Sequence, residues 1–211
     1  EQHAAESGID VPDTPPLPVN AERLKDWAAS LCYLQRYEEA LEIANQAVEM
    51  DAGYVAARIN RSLCHLNLNQ PREAVEDLKT ALTREPENAL AWNNLACAHK
   101  RLGRTPDAFA AAQKAIQLDD TFRDAWNTLG GLHQQQRDFK KAIECYRKAL
   151  DVDPFFCDAC VNLGDALCGL GNAGEALRCY ERAVAIDPED AAAMEKRDTL
   201  RKLFGDRAPS R

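Results

Sequence analysis

Residues 123–156 read RDAWNTLGGLHQQQRDFKKAIECYRKALDVDPFF, and this stretch decides the fold. Ala142 and Ala149 lie seven residues apart, two helical turns, on one face of a predicted helix. Steps of 34 residues carry this pair back to Ala108 and Ala115, Ala74 and Ala81, and Ala40 and Ala47, and forward to Ala176 and Ala183. Ten positions in register without a gap make an internal repeat. Small side chains at fixed sites let neighbouring helices approach to about 8 Å. Larger residues fill the space around them: Leu95, Leu129 and Leu163 in the first helix of a unit, Tyr146 and Tyr180 in the second.

Each unit therefore reads as two amphipathic helices with a short break. The breaks fall at Gln35-Arg36, Asn69-Gln70-Pro71, Gly103-Arg104-Thr105, Arg137-Asp138 and Gly171-Asn172. Thr105-Pro106-Asp107 predicts a helix start, with Thr105 as N-cap and Pro106 where no amide hydrogen bond is needed. Glu85-Pro86, Asp153-Pro154 and Asp187-Pro188 close units, because proline cannot continue a helix.

Trp126, Leu129, Gly130 and His133, followed by Ala142, Tyr146, Ala149 and Pro154, resemble the tetratricopeptide repeat. The resemblance sets repeats at 21–54, 55–88, 89–122, 123–156 and 157–190. It implies an all-α fold, a right-handed superhelical solenoid of helix-turn-helix repeats. Departures occur where the family has Leu-Gly: Trp27-Ala28 in the first repeat and Arg61-Ser62 in the second. Ala52 and Asp120 replace the closing proline. Residues 191–205, with apolar Ala193, Leu200, Leu203 and Phe204 between charges, predict a C-terminal capping helix. Residues 206–211 read as a disordered tail. Residues 1–20 hold Pro12, Pro15, Pro16 and Pro18 with four acids and no Lys or Arg, a flexible acidic leader or linker. The first residue is Glu rather than Met, so a processed or excised chain is expected.

The formal net charge of −8 is a poor match for nucleic acid, whose binders neutralise phosphates with clustered Lys and Arg. No apolar run approaches the roughly 20 residues of a membrane span, and no secretory segment is visible. Eight cysteines lie along apolar helical stripes, a pattern that fits reduced thiols in a cytoplasmic or nuclear protein better than a disulfide-stapled secreted domain.

The resemblance implies that positions 2, 5, 6, 9, 12 and 13 of each first helix line a concave groove. Position 6 carries Asn60, Asn94 and Asn162, with Asn93 and Asn127 beside it at position 5. An Asn amide offers donors and an acceptor, so a row of them suits an extended peptide backbone of any sequence; bridging between neighbouring helices is the alternative role. Lys25, Lys100, Arg101 and Asp165 join these as expected ligand contacts, with Asp124 and Asp158 on the same face. The clamp by which related co-chaperones hold a chaperone's C-terminal carboxylate is matched only by Lys25 and Asn60. Ala29, Leu90 and Asn94 stand at its other positions, which removes the cations that make charge-assisted bonds. Lys100 and Arg101 leave a shifted clamp open.

His65, His99 and His133 recur at position 11, where imidazoles in register suggest a metal. Packed helices about 8–10 Å apart do not bring such side chains onto one ion, whose bonds are about 2.1 Å. They read instead as packing residues with polar tips. Cys157 and Cys160, with Cys168 and Cys179 beyond, lack the second paired motif of a zinc site. Cys145 and Cys179 share one repeat position, as core residues do. No phosphate loop, nucleophile elbow or zinc-protease motif is present. The expected function is a scaffold or adaptor that binds an extended peptide or helix of a partner protein, with no catalytic residue, metal or cofactor. Two alternatives stand beside it. One is the substrate-recruiting arm of a larger enzyme, such as one resembling O-GlcNAc transferase. The other is a structural subunit that forms a homo-oligomer or joins a complex through exposed aromatics such as Phe155 and Phe156.

Overall fold

The structure, a computed structural model, describes residues 19–205, and residue 204 only in its backbone. The leader up to residue 18, the tail from 206 and the side chain of Phe204 lie outside the described residues. Every regular element among the described residues is an α-helix. In order these are α1 (Ala21–Tyr33), α2 (Tyr37–Met50), α3 (Val55–Asn67), α4 (Pro71–Arg84), α5 (Ala89–Arg101), α6 (Thr105–Leu118), α7 (Arg123–Gln135), α8 (Phe139–Val152), α9 (Cys157–Gly169), α10 (Ala173–Ile186) and α11 (Ala191–Gly205). The first helix of every repeat runs from position 1 to 13 and the second from position 17 to 30. The period seen in the alanines is thus also the period of the backbone.

Two recurring turns enforce it. At position 15 the chain enters the left-handed region five times, at Gln35, Asn69, Gly103, Arg137 and Gly171, with φ of 58, 56, 69, 60 and 78°. The next amide then reaches back to the first helix, as from Asp138 N to His133 O at 3.0 Å and from Asn172 N to Leu167 O at 2.9 Å. Between repeats, position 31 is an aspartate in four cases. Asp51, Asp119, Asp153 and Asp187 each accept from the backbone two residues on, at 2.8–3.0 Å. Asn20, Asn88, Asp138, Asn172 and Asp190 accept from the third residue beyond and so satisfy an amide at a helix start. Thr105 differs from expectation: it is the first residue of α6, which moves Pro106 one place into the first turn.

The chain divides between Ala111 and Ala112 into two compact units. In the first, Leu24, Ala28 and Leu31 of α1 pack with Ala40, Ile43, Ala44, Ala47 and Val48 of α2 and with Ala57 and Cys64 of α3. The repeat alanines are fully covered, so two helices can lie against each other there. In the second unit Ala142, Tyr146 and Ala149 of α8 meet Ala159, Leu163 and Ala166 of α9 and Tyr180 and Ala183 of α10. Helix α11 packs on α10 and adds buried Ala193 and Leu200. Leu203, expected on its apolar face, is 54% exposed. Phe156 is likewise not an exposed aromatic: it is buried in this core with the Arg123 guanidinium 4.4 Å above its ring, whereas Phe155 is 76% exposed.

The departures in the second repeat have a local explanation. Arg61, where other repeats carry Leu95, Leu129 or Leu163, pairs with Asp77 through Nε–Oδ2 at 2.7 Å and Nη2–Oδ1 at 2.5 Å. Asp77 is buried, and Arg58 Nη1 reaches the same carboxylate at 3.2 Å. Ser62 turns its hydroxyl onto Ile59 O at 2.6 Å and stays covered.

Candidate binding faces of the two units

In the first unit, the position-6 amide of α3 bridges to the position-5 backbone of α1. Asn60 Nδ2 on α3 donates to Lys25 O on α1 at 3.3 Å, and Lys25 Nζ pairs with Asp26 at 2.6 Å. That ion pair raises the Lys25 ammonium pKa. The Oδ1 of Asn60 accepts nothing among the described residues, so the amide keeps its acceptor. Asn93 and Asn94 on α5 are both buried, and Asn93 Oδ1 has no partner among the described residues. Asn94 likewise makes no side-chain hydrogen bond there. Arg101 donates from Nη1 to Leu66 O at the C-terminal end of α3, where a cation meets the negative end of the helix dipole. Lys100 is half-buried beside it. Three apolar side chains at positions that the resemblance assigns to a groove are exposed and lie outside the expected set: Tyr33, Leu63 and Leu90, at positions 13, 9 and 2. The position rule alone points to them; attention to polar groups passes over them.

The second unit repeats the bridge with two side chains. Asn162 Nδ2 on α9 donates to Asn127 Oδ1 on α7 at 3.0 Å, and Asn162 Oδ1 accepts nothing among the described residues. Asp165 is held by its own fold: Tyr180 Oη donates to it at 2.7 Å, and Lys196 Nζ on α11 meets both its oxygens at 2.6 and 2.8 Å. It therefore ties α9, α10 and α11 together. Burial, then this carboxylate, pushes the Tyr180 phenol up.

The histidines do not converge on one point. His65 Nδ1 pairs with Gln70 Oε1 at 2.8 Å, and its Nε2 lies 4.0 Å from Asp77. His99 is 6% exposed, and burial lowers its pKa, as it does for His133. Among the described residues no three His, Cys, Asp or Glu side chains gather as a metal site. Burial pushes Cys145, Cys157 and Cys179 up to about 11, which keeps them as thiols at neutral pH. Cys168 is exposed rather than packed on an apolar stripe, with its sulfur 3.8 Å from Tyr180 Oη. No helix among the described residues is long and apolar enough to cross a membrane.

Tandem helical hairpins of constant length, closed by the same turns and bridged between their first helices, define a helical-repeat protein. Tetratricopeptide-repeat family models match residues 65–121, 124–156 and 157–190, more than half of the chain together. The chain belongs to the tetratricopeptide-repeat family. It is 43% identical over 58 residues to sperm-associated antigen 1 of Mus musculus, a match covering 28% of this chain and 6% of that protein. It is 35% identical over 74 residues to DnaJ homolog subfamily C member 7 of Homo sapiens, covering 35% of this chain and 15% of that protein. The chain thus matches only a small part of the length of these curated relatives. Among solved structures, a thermophilic TPR protein of Thermus thermophilus superposes with a TM-score of 0.80 at 19% identity, covering 86% of this chain and 99% of that one. YrrB, described as a TPR protein with an unusual peptide-binding site, gives 0.57 at 21% identity, with 85% and 92% covered. At these identities the likeness is one of fold.

Proposed function

We propose that the chain is a protein–protein interaction module whose first-helix faces bind an extended peptide or helix of a partner protein, and that it does so without catalysis or cofactor. The observation that carries this reading is that each unit has position-6 amides with unspent capacity. Asn60 and Asn162 each use one N–H to bridge helices and keep a carbonyl oxygen, while Asn94 spends none among the described residues. Of these neighbouring amides only Asn93 Oδ1 is fully buried without a partner among the described residues, so the unspent groups of position 6 reach solvent, where a peptide backbone can supply both donors and acceptors to them. The exposed Leu63 and Leu90 offer apolar contact near Asn60 and Asn94 in sequence, the mix of anchor and hydrogen bond that peptide interfaces use. The amides that bridge helices thereby also present their acceptors in fixed directions, which lowers the ordering cost of binding.

A display library of random dodecapeptides selected on the intact chain tests this. Selected peptides should protect residues of α3, α5, α7 or α9 from hydrogen exchange. The Asn94→Ala/Asn162→Ala variant should bind them about tenfold more weakly, the loss of more than about 1 kcal/mol expected of buried contacts. Peptides that bind the variant equally well and protect only second helices would defeat the reading.

A further inference from the structure

Cys32 and Cys64 are 32 residues apart in sequence, but their sulfurs stand 3.2 Å from each other. Cys32 lies in the last turn of α1, at position 12, and Cys64 in α3, at position 10. A disulfide bond is about 2.05 Å long, so closure asks for roughly 1.2 Å of sulfur movement. The two helices are already pinned together. Asn60 Nδ2 donates to Lys25 O, about two turns from Cys32 on α1 and about one turn from Cys64 on α3, and Leu24, Ala28, Leu31, Ala57 and Cys64 share one core. The pair is also asymmetric in access: Cys64 is fully covered, while Cys32 is partly open to solvent.

We propose that Cys32 and Cys64 form a reversible dithiol–disulfide pair that a small-molecule disulfide, such as glutathione disulfide, closes to staple α1 to α3. Cys32 attacks one sulfur of glutathione disulfide as its thiolate. The S–S bond of the reagent breaks, and one glutathione leaves, taking the proton that Cys32 gave up. Cys64 then attacks Cys32 Sγ, the mixed disulfide breaks, and the second glutathione leaves with the proton of Cys64. Two protein thiols and one small disulfide become one protein disulfide and two small thiols. Two electrons pass from the protein to glutathione.

The roles follow from the surroundings of each sulfur. The Cys64 S–H can donate to the Cys32 sulfur, which lowers the Cys32 pKa and holds the Cys64 proton in place. Elsewhere burial raises Cys145, Cys157, Cys160 and Cys179 and keeps them protonated. Cys32 is therefore the entry point, and Cys64, which a reagent of this size does not reach, is the resolving thiol.

The test uses the full reduced chain treated with glutathione disulfide, alkylated and digested with trypsin without reduction. Trypsin places Cys32 in a peptide of residues 26–36 and Cys64 in one of 62–72, each with that single cysteine. The expected product is these two peptides joined, released by dithiothreitol, from a protein lighter by two hydrogens. Its thermal midpoint should rise by roughly 5 °C or more, since the bond closes a loop of about 30 residues. In Cys64→Ala, Cys32 should instead retain one glutathione and the midpoint should not rise. Alanine suits that site, because Ala98 and Ala166 occupy position 10 in two other repeats. In Cys32→Ser, Cys64 should stay unmodified. The proposal is overturned if the wild-type chain keeps a mixed disulfide at Cys32, or if other cysteines link in preference to this pair.

Discussion

The two units solve the same packing problem with different volumes. In the second, position 8 of the first helix is glycine and position 24 of the second is tyrosine: Gly130 faces Tyr146, and Gly164 faces Tyr180. A Cβ on Gly130 would lie 2.6 Å from Tyr146 Cε1, and one on Gly164 would lie 2.5 Å from Tyr180 Cε1. In the first unit the same positions hold Ala28 with Ala44 and Ser62 with Leu78. The glycine is a slot cut for a ring, and where the ring is absent the slot closes. The tyrosines then add a polar contact that the first unit lacks, Tyr146 Oη to Gln134 at 2.9 Å and Tyr180 Oη to Asp165 at 2.7 Å. Position 8 and position 24 thus vary as a pair, although they sit on different helices.

Breaking that pair should give the largest effect. Tyr146→Ala removes a fully buried ring and should cost about 4 kcal/mol in urea unfolding of the intact chain, the usual range for a buried aromatic. Gly130→Ala should cost about 2 kcal/mol by overpacking. The double variant Gly130→Ser/Tyr146→Leu transplants the Ser62/Leu78 solution into the second unit. It should be more stable than the sum of its single changes by about 1–2 kcal/mol, the signature of directly contacting sites. Strict additivity would show that the two positions are independent.

The next contrast lies at positions 7 and 23. The second unit keeps them apolar, with Leu129 and Leu163 at one and Cys145 and Cys179 at the other; the second repeat places Arg61 and Asp77 there. Asp77→Ala leaves Arg58 and Arg61 without their carboxylate and should cost about 3 kcal/mol, the penalty of a broken buried pair. Arg61→Leu/Asp77→Ala should recover at least half of that loss, because an apolar pair fits the same position elsewhere. A double variant no better than Asp77→Ala would assign the whole cost to Arg58.

These pairs show what was legible in sequence. Helix count, hairpin breaks and the covered alanines follow from a 34-residue period, because period and backbone repeat together. Arg61-Ser62 looks like a weak repeat only when position 7 is read alone; reading down position 23 exposes Asp77 as its partner. The binding faces were less legible. Sequence placed Asn60, Asn127 and Asn162 at positions 5 and 6, but it could not say that a bridge between helices takes one N–H from Asn60 and Asn162. Asp165 and Arg101 look alike as exposed charges in sequence, yet one binds Lys196 and Tyr180 and the other caps Leu66 O. Such contacts join residues 15 to 35 apart and depend on side-chain reach, which periodicity does not encode.

Position 11 offers a pH test. His99 is buried with Nδ1 lacking a partner among the described residues, whereas the first and fifth repeats carry Leu31 and Leu167 there. Burial lowers the His99 pKa below its ordinary value of 6.5, so near and below that pH the unfolded chain binds more protons than the folded one. Stability should therefore fall as pH drops from about 7.5 to about 6. His99→Leu should reduce that fall, and His99→Leu/His133→Leu should reduce it further, since burial lowers His133 as well. Thermal midpoints across this range decide the matter, and equal slopes in all three proteins would exclude the histidines as its source.

The smallest expected effect is at the hairpin turn, where the units can be made alike. Position 15 is left-handed in every repeat, but only Gly103 and Gly171 have the residue that adopts it without a steric penalty. Gln35 and Arg137 hold φ of 58 and 60° with a Cβ, a conformation costing about 1–2 kcal/mol for most side chains. Glycine also gives up more backbone entropy on folding, which offsets part of the gain. Gln35→Gly and Arg137→Gly should each stabilise the chain by about 0.5 kcal/mol, while Gly171→Ala should destabilise it by about 1 kcal/mol. Opposite signs for the two kinds of change, read from urea midpoints, would tie the recurring turn geometry to backbone conformation. The same sign for both would mean that side-chain contacts at position 15 outweigh the left-handed φ.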